Sequence, residues 1–256
     1  MLAILSPAKS LNSEVTVARP ETTVPQFVEQ AAVLAEQMRQ YSPSDLAGLM
    51  KLSDTLSALN AARFEQWQLD HTADELLPAV YAFNGDVYQG LDVTSLSAAA
   101  LGRLNDRIRI LSGLYGVLRP SDAMRPYRLE MGTRFKTGPI TSLPNYWKET
   151  VTSHLNQTLD GRPLLNLASQ EYAQAVDLKA IEGGVITPVF KDLKNGEYKI
   201  ISFYAKRARG LMARFLLEQE VDARADLHAF DYQGYVYSKA HSTPEAPCFL
   251  RDPSAS

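Results

Sequence analysis

The chain has 256 residues, 45% of them apolar, which is enough for a substantial core; with no Pro/Gly/Ser-rich linker, low-complexity run or internal repeat it reads as a single domain. No stretch approaches the roughly 18 apolar residues of a membrane span, and Met1 leads straight into Leu2-Ala3-Ile4-Leu5, which predicts a cytosolic protein; the lone Cys248 excludes an intrachain disulfide and fits a reducing compartment. The formal net charge of -3 hides a division: residues 14–100 carry twelve acids and four bases, residues 103–136 eight bases and three acids, and residues 186–215 seven bases and two acids. Such asymmetry points two basic segments at a polyanion. The competing reading is that both are solvated faces paired with the acidic third.

The first strand, Leu2–Leu5, is ended by Pro7, which leaves the polar loop Ser6-Pro7-Ala8-Lys9-Ser10 at its carboxyl end, where ligands of open α/β sheets sit. Val24, Phe27, Val28, Ala31, Leu34, Ala35 and Met38 recur at steps of three and four, predicting an amphipathic helix that ends near Tyr41. Ser42 is a candidate cap, and Pro43 a first-turn residue, for a short helix to Met50; Lys51-Leu52-Ser53 breaks it, and 54–67 predicts a second helix carrying Arg63. Two short helices on a tight connector over residues 43–64 resemble a helix-hairpin-helix, whose exposed N–H groups hold a DNA phosphate. The Gly-apolar-Gly hairpin of that motif is missing, so an ordinary helical corner is the alternative.

Residues 95–106 predict a helix and 108–111 a strand. The following Gly113 and Gly116 lack the order of a dinucleotide fingerprint, and a second helix-hairpin-helix drawn on their spacing meets Pro120. From Met124 to Gly132, guanidinium alternates with aromatic or apolar side chains, so that Arg125 and Arg128 suit phosphate and Tyr127 offers a stacking face. Residues 144–159 predict a helix and 163–168 a buried strand, with Ser169 capping the turn that holds Glu171. An Asn195-Gly196 turn then joins two strands that feed a basic helix. Steps of about 100° put Leu211, Met212, Phe215 and Leu216 on its packed side and Lys206, Arg207, Arg209 and Arg214 on the other. Tyr232, Tyr235 and Tyr237 at period two read as a strand, and residues 252–256 as a flexible tail.

His71, His154, His228 and His241 are isolated, and no C-x-x-C, H-E-x-x-H, Walker A, kinase or G-x-S-x-G pattern occurs, so no metal and no cofactor is expected. What remains is a set of polar residues at element ends: Lys9, Asn84-Gly85-Asp86, Glu171, Tyr204 and Lys206. Brought together, Asp86 or Glu171 would serve as general base and Lys9 or Lys206 as electrostatic stabiliser. Taken alone, Asn84-Gly85-Asp86 is equally a turn with a capping Asp.

SPAKSL (6–11), NAARF (60–64), FNGDVYQGL (83–91), LSGLYGVLRPSDAMRPYRLEMG (111–132), LNLASQEY (165–172) and KNGEYKIISFYAKRARGLMARF (194–215) together resemble the YaaA family of bacterial peroxide-stress proteins, in order and over nearly the whole chain. The resemblance implies a single α/β domain with a mixed central sheet surrounded by helices, an unusual fold containing a helix-hairpin-helix, and a positively charged cleft. It also implies DNA binding with little sequence preference, to duplex, bubble or junction, and a role in protecting DNA and limiting free-iron damage under peroxide. The nucleic-acid-binding residues would be Lys9, Arg63, Arg125, Arg128, Lys206, Arg207, Arg209 and Arg214. The alternative is an enzyme acting on a nucleotide, nucleoside or damaged base, with Lys9 and Lys206 holding a phosphate and Asp86 or Glu171 as base; a pocket uniting Lys9, Asn84, Glu171 and Lys206 would favour it.

Overall fold

A computed structural model describes residues 1–13, 21–72, 76–138, 140–219 and 221–252; of the expected tail, 253–256 lie outside the described residues. The chain's first strand, β1 (Leu2–Leu5), is inaccessible at all four residues, as its unbroken apolar run requires of a parallel strand covered on both faces. It pairs in parallel with β2 (Ile108–Ser112), against which β3 (Gly116–Leu118) folds back antiparallel. On its other side β4 (Leu164–Asn166) and then β5 (Val185–Ile186) continue in parallel, giving the five-stranded order β3-β2-β1-β4-β5. The chain leaves β1 toward β2 and leaves β4 toward β5, in opposite directions. A crevice therefore opens beyond the carboxyl ends of β1 and β4, the switch point at which open α/β sheets take their ligands.

A second sheet has β6 (Val189–Lys194), β7 (Glu197–Lys199), β8 (Val236–Tyr237) and β9 (Cys248–Arg251) in the order β7-β6-β9-β8. Asn195 and Gly196, both at positive φ (55° and 79°), turn β6 into β7 as the sequence predicts. Strand β6 also runs parallel to β9, and Asp192, wholly buried, sits opposite Arg251 in that register, accepting from its Nε at 2.5 Å and from the Tyr235 hydroxyl at 3.0 Å. Tyr235 and Tyr232 are not strand residues: only Val236–Tyr237 pairs, and Tyr232 lies in a 3-10 turn.

Helix α1 (Val28–Arg39) buries Ala31, Leu34, Ala35 and Met38 of the expected face, but it starts later than the spacing predicts: Val24 and Phe27 precede it, and Val24 is 45% exposed. Ser42 and Asp45 form a capping box at the start of α2 (Pro43–Met50), and Ser53 caps α3 (Asp54–Glu65); the connector between them begins with Lys51 at φ 54°. The single helix expected over 95–106 is two short helices, Ala98–Gly102 and Leu104–Arg107, parted at Arg103, whose Nε donates to the Leu217 carbonyl at 2.9 Å. Gly113 and Gly116 belong to the β2–β3 hairpin, so no second helix-hairpin-helix forms there.

Four further helices are α4 (Asp86–Leu91), α5 (Leu143–Leu159), α6 (Gln170–Ala173) and the long α7 (Ser202–Glu218), of which α4, α6 and α7 line the site. Leu211, Met212, Phe215 and Leu216 are buried as phased, and Ala205, Ala208, Ala213 and Leu217 join them, so only the first turns of α7 keep an open side. Its Phe215 meets Phe230 edge-on at 5.6 Å, and Phe230 meets Phe249 of β9 at 5.3 Å, tying α7 to the second sheet. Helices α4 and α7 cross backbone on backbone: a Cβ on Gly210 would overlap the Val87 carbonyl, and one on Gly90 the Arg207 carbonyl.

Because the obstacle is main chain, Gly210→Ala should cost about 3 kcal/mol, at the upper end of overpacking effects. Gly48→Ala, in α2 with nothing within 4 Å of a new Cβ, should be neutral or stabilising; urea unfolding of the two variants side by side checks both. A second expectation concerns pH. His154 on α5 is pushed from 6.5 to about 4, first by burial, then by Arg109 (Nε to Nε2 3.4 Å) and Arg119. Below pH 6.5 the unfolded chain therefore takes up a proton that the native state refuses until about pH 4, so stability is full above that window and falls through it. His154→Gln should lose less stability than the parent between pH 7 and pH 4.5, roughly the limits of this titration; an equal loss in both rejects the assignment.

Candidate functional site

The loops leaving β1 and β4 are clamped together where the crevice opens. Ser169 N donates to Ser6 Oγ at 2.8 Å, Ser6 Oγ donates to Ser169 Oγ at 3.3 Å, and the Tyr88 hydroxyl of α4 donates to the Ser6 carbonyl at 3.1 Å. Ser169 also caps α6, accepting from Tyr172 N, which sets Glu171 in the first turn. Across from these, Ser10 pairs with Asn84 in a two-residue antiparallel ladder that leads through Gly85 into Asp86. The result is a pocket of about 370 Å³ at the switch point, lined by Ser6–Ser10, Asn84–Tyr88, Glu130, Ser169, Glu171, Tyr172, Lys206 and Arg209. A wider, more open groove of about 1020 Å³ adjoins it, running past α6, Lys179, Phe190 and Ile200 and sharing Ser169, Glu171 and Arg209 with it.

Lys9, Asn84, Asp86, Glu171 and Lys206, scattered in sequence, thus line one cavity. Its charges are not alike. Lys9 Nζ lies 2.6 Å from Glu130 Oε2, and Arg128 Nη2 lies 3.1 Å from Glu130 Oε1, so this acid holds two cations at the rim. Glu171 Oε1 accepts from Gly132 N at 2.9 Å. Lys206, Arg209 and Asp86 form no hydrogen bond or ion pair with the described residues. Arg209 is half-buried, and burial alone pulls its guanidinium below the usual arginine range, with no acid near enough to offset it. Burial raises the Tyr88 and Tyr172 phenols, which therefore stay neutral.

The other predicted cations lie outside this pocket. Arg125 donates to the Gln68 and Asp70 carbonyls (2.7–3.2 Å), and Arg63 lines a separate cavity of about 180 Å³ with Asn12 and Pro126. Arg207 donates to Gln233 Oε1 at 3.1 Å. Arg214 clamps α7 to the turn after α4, donating to the Leu91 and Asp92 carbonyls and to Ser95 Oγ (2.7–3.2 Å) and pairing with Glu218 at 2.7 Å. Tyr127 cannot stack on a base: it is buried and shares a 2.6 Å hydrogen bond with Ser112. Tyr204 is exposed, but the Arg251 guanidinium covers one of its faces at 4.5 Å. Sequence reasoning missed Glu130, Ser6 and Ser169 as site residues; the two serines stood at strand ends, and Glu130 two positions from Arg128.

Among the described residues no three His, Cys, Asp or Glu side chains cluster to hold a metal ion, and no helix is long and apolar enough to cross a membrane. Fold and site together define an α/β protein with a cleft of mixed charge, three cations facing three carboxylates, at the carboxyl edge of its parallel strands. The chain belongs to the YaaA family: the model for peroxide stress protein YaaA matches residues 1–241. Relatives include UPF0246 proteins of Idiomarina loihiensis (50% identical, covering 98% of each chain), Shewanella denitrificans (49%, 98% of this chain and 99% of the relative) and Shewanella woodyi (48%, 98% and 100%).

Arg214→Ala should lower unfolding stability by about 2 kcal/mol, the scale of hydrogen bonds from a charged donor. Arg207→Ala should change it by less than about 0.5 kcal/mol. Urea midpoints of the two variants test this separation of a structural arginine from a surface one.

Proposed function

We propose that this protein acts in the cytosol in the peroxide stress response, binding duplex or structured DNA with little sequence preference, protecting it and helping to limit free-iron damage. The observation that carries the reading is the surface from Lys194 to Arg207 beside the groove. There Lys194, Lys199, Lys206 and Arg207 alternate with Tyr198, Ile200, Phe203 and Tyr204, large apolar side chains left 37–63% exposed. Cations interleaved with exposed rings suit a phosphate backbone with unpaired bases alongside it. Among the described residues only Lys199 of these cations forms an ion pair, with Glu197 at 2.6 Å on the same short strand. The α2–α3 corner is the proposed helix-hairpin-helix, presenting Lys51 at its turn to a phosphate.

A second reading, an enzyme acting on a nucleotide, nucleoside or damaged base, draws support from the pocket that unites Lys9, Asn84, Glu171 and Lys206. In it Glu171 or Asp86 is the general base and Lys9 or Lys206 the phosphate holder.

Binding to duplex, bubble and junction DNA across a salt series tests the first reading. Log K should fall by roughly 0.9 per neutralised phosphate for each unit of log salt, and the double charge reversal Lys206→Glu/Arg207→Glu should weaken all three DNAs together. Unchanged affinity in that variant rejects DNA binding through this surface.

A further inference from the structure

We infer that the pocket at the β1–β4 switch point is a binding site for a single nucleoside 5′-monophosphate unit, either free or at the end of a strand. The inference rests on the DNA-binding reading for the class of ligand, but its cavity is distinct from the exposed surface that grips a duplex, with which it shares Lys206. A cavity of about 370 Å³ excludes a double helix. It lies at the lower end of the range of roughly 300–1,000 Å³ typical of small-ligand sites, which accommodates one nucleotide.

The phosphate end is set by α7. Lys206 and Arg209, three residues apart, share one face of the helix and reach the cavity together. An arginine fork beside an ammonium suits a phosphate that presents several oxygens. Neither forms an ion pair among the described residues, and Arg209 is half-buried, so the site bears the cost of desolvating a cation without a paired anion. A bound phosphate supplies it.

The remainder of the wall suits a base and sugar. Pro7, Ala8 and the neutral rings of Tyr88 and Tyr172 offer apolar surface. Among the described residues the Asp86 side chain has no hydrogen bond or ion pair, and Glu171 has one oxygen engaged, by Gly132 N. Carboxylates accept from ring N–H and exocyclic amino groups, as they do at cytosine N4, and they repel a bare anion. Acid and cation in one small cavity therefore select a ligand that is anionic at one end and hydrogen-donating at the other.

The experiment is calorimetric titration of the full chain with an equimolar mixture of the four deoxynucleoside 5′-monophosphates, with the matching nucleosides, and with inorganic phosphate. A 5′-phosphorylated oligonucleotide and its 5′-hydroxyl counterpart form a second arm. The monophosphates should bind about tenfold or more tightly than nucleosides or phosphate, and Lys206→Ala and Arg209→Gln should each weaken them about tenfold, as loss of one charge-assisted contact does. Lys206 is exposed, so its variant remains informative if Arg209→Gln unfolds. Asp86→Asn should shrink the preference for nucleotide over phosphate. Preference for the 5′-phosphorylated strand assigns the site to strand ends, and binding of free monophosphates alone assigns it to free nucleotides; both support the inference. No nucleotide binding at millimolar concentration, equal binding of inorganic phosphate, or indifference to both Lys206→Ala and Arg209→Gln overturns it. Lys194→Glu/Lys199→Glu, outside the pocket, should weaken duplex binding and leave nucleotide binding intact. Duplex binding without nucleotide binding overturns the pocket assignment alone, whereas nucleotide binding without duplex binding supports it and counts only against the DNA reading.

Discussion

The site depends on one constraint, the crossing of α4 and α7 with no side chain between them. Val87 O lies where a Cβ on Gly210 would be, and Arg207 O where one on Gly90 would be. Contact of main chain with main chain cannot be relaxed by a rotamer change, so the relative position of the two helices is fixed more tightly than side-chain packing would fix it. Asp86 and Lys206 each lie four residues before one of the two glycines, about one helical turn, and Arg209 immediately precedes Gly210. Both helices therefore bring their polar residues to the same cavity one turn from the crossing. The far half of α7 is held by Arg214 on the Leu91–Ser95 turn and by Tyr232, whose hydroxyl donates to Glu218 at 2.6 Å.

The charge division in the sequence takes a definite form in three dimensions. Had the basic segments simply been neutralised by the acidic third, ion pairs would join residues 14–100 to residues 103–136 and 186–215. Among the described residues only Arg214 with Asp92, at 3.7 Å, does so. The other acids that hold these cations come from the basic segments themselves, Asp122 for Arg119, Glu130 for Arg128 and Glu197 for Lys199, or from farther along the chain, Asp222 for Arg107 and Glu218 for Arg214. Among the described residues Lys206, Arg207 and Arg209, on the first turns of α7 next to the pocket, form no ion pair. A chain that is net acidic thus keeps cations available to a polyanion beside a cavity of mixed charge.

What was legible in the sequence was what local chemistry determines. The apolar run Leu2–Leu5, the three-and-four spacing of α1 from Val28 onward, the Ser42 and Ser169 caps and the Asn195-Gly196 turn each report interactions within a few residues, and each stands in the structure. The polar loop after β1 was legible as a ligand edge because the sheet-edge rule needs only a strand and its end. Roles set by distant partners were not legible. Arg214 and Lys206 occupy the same helix and were read alike, but Arg214 meets carbonyls more than a hundred residues away. Tyr127 was read as a stacking ring because it stands between arginines; its partner Ser112 buries it. The period-two tyrosines failed similarly, since the strand that β8 joins, β9, begins more than ten residues later and reaches only Tyr237 and Val236.

The pocket and groove are best understood as one device because they share Arg209, Glu171 and Ser169. Exposed lysines on the β6–β7 hairpin remain hydrated and bind a backbone through counterion release that is indifferent to sequence. Arg209 differs: it has already lost part of its hydration, so an anion that reaches it gains more than one at the hairpin. Hydrated lysines outside favour loose attachment, and half-buried Arg209 a discriminating contact within. That contact lies at the switch point because two parallel strands end side by side there, and loops from β1 and β4 close one cavity against α7.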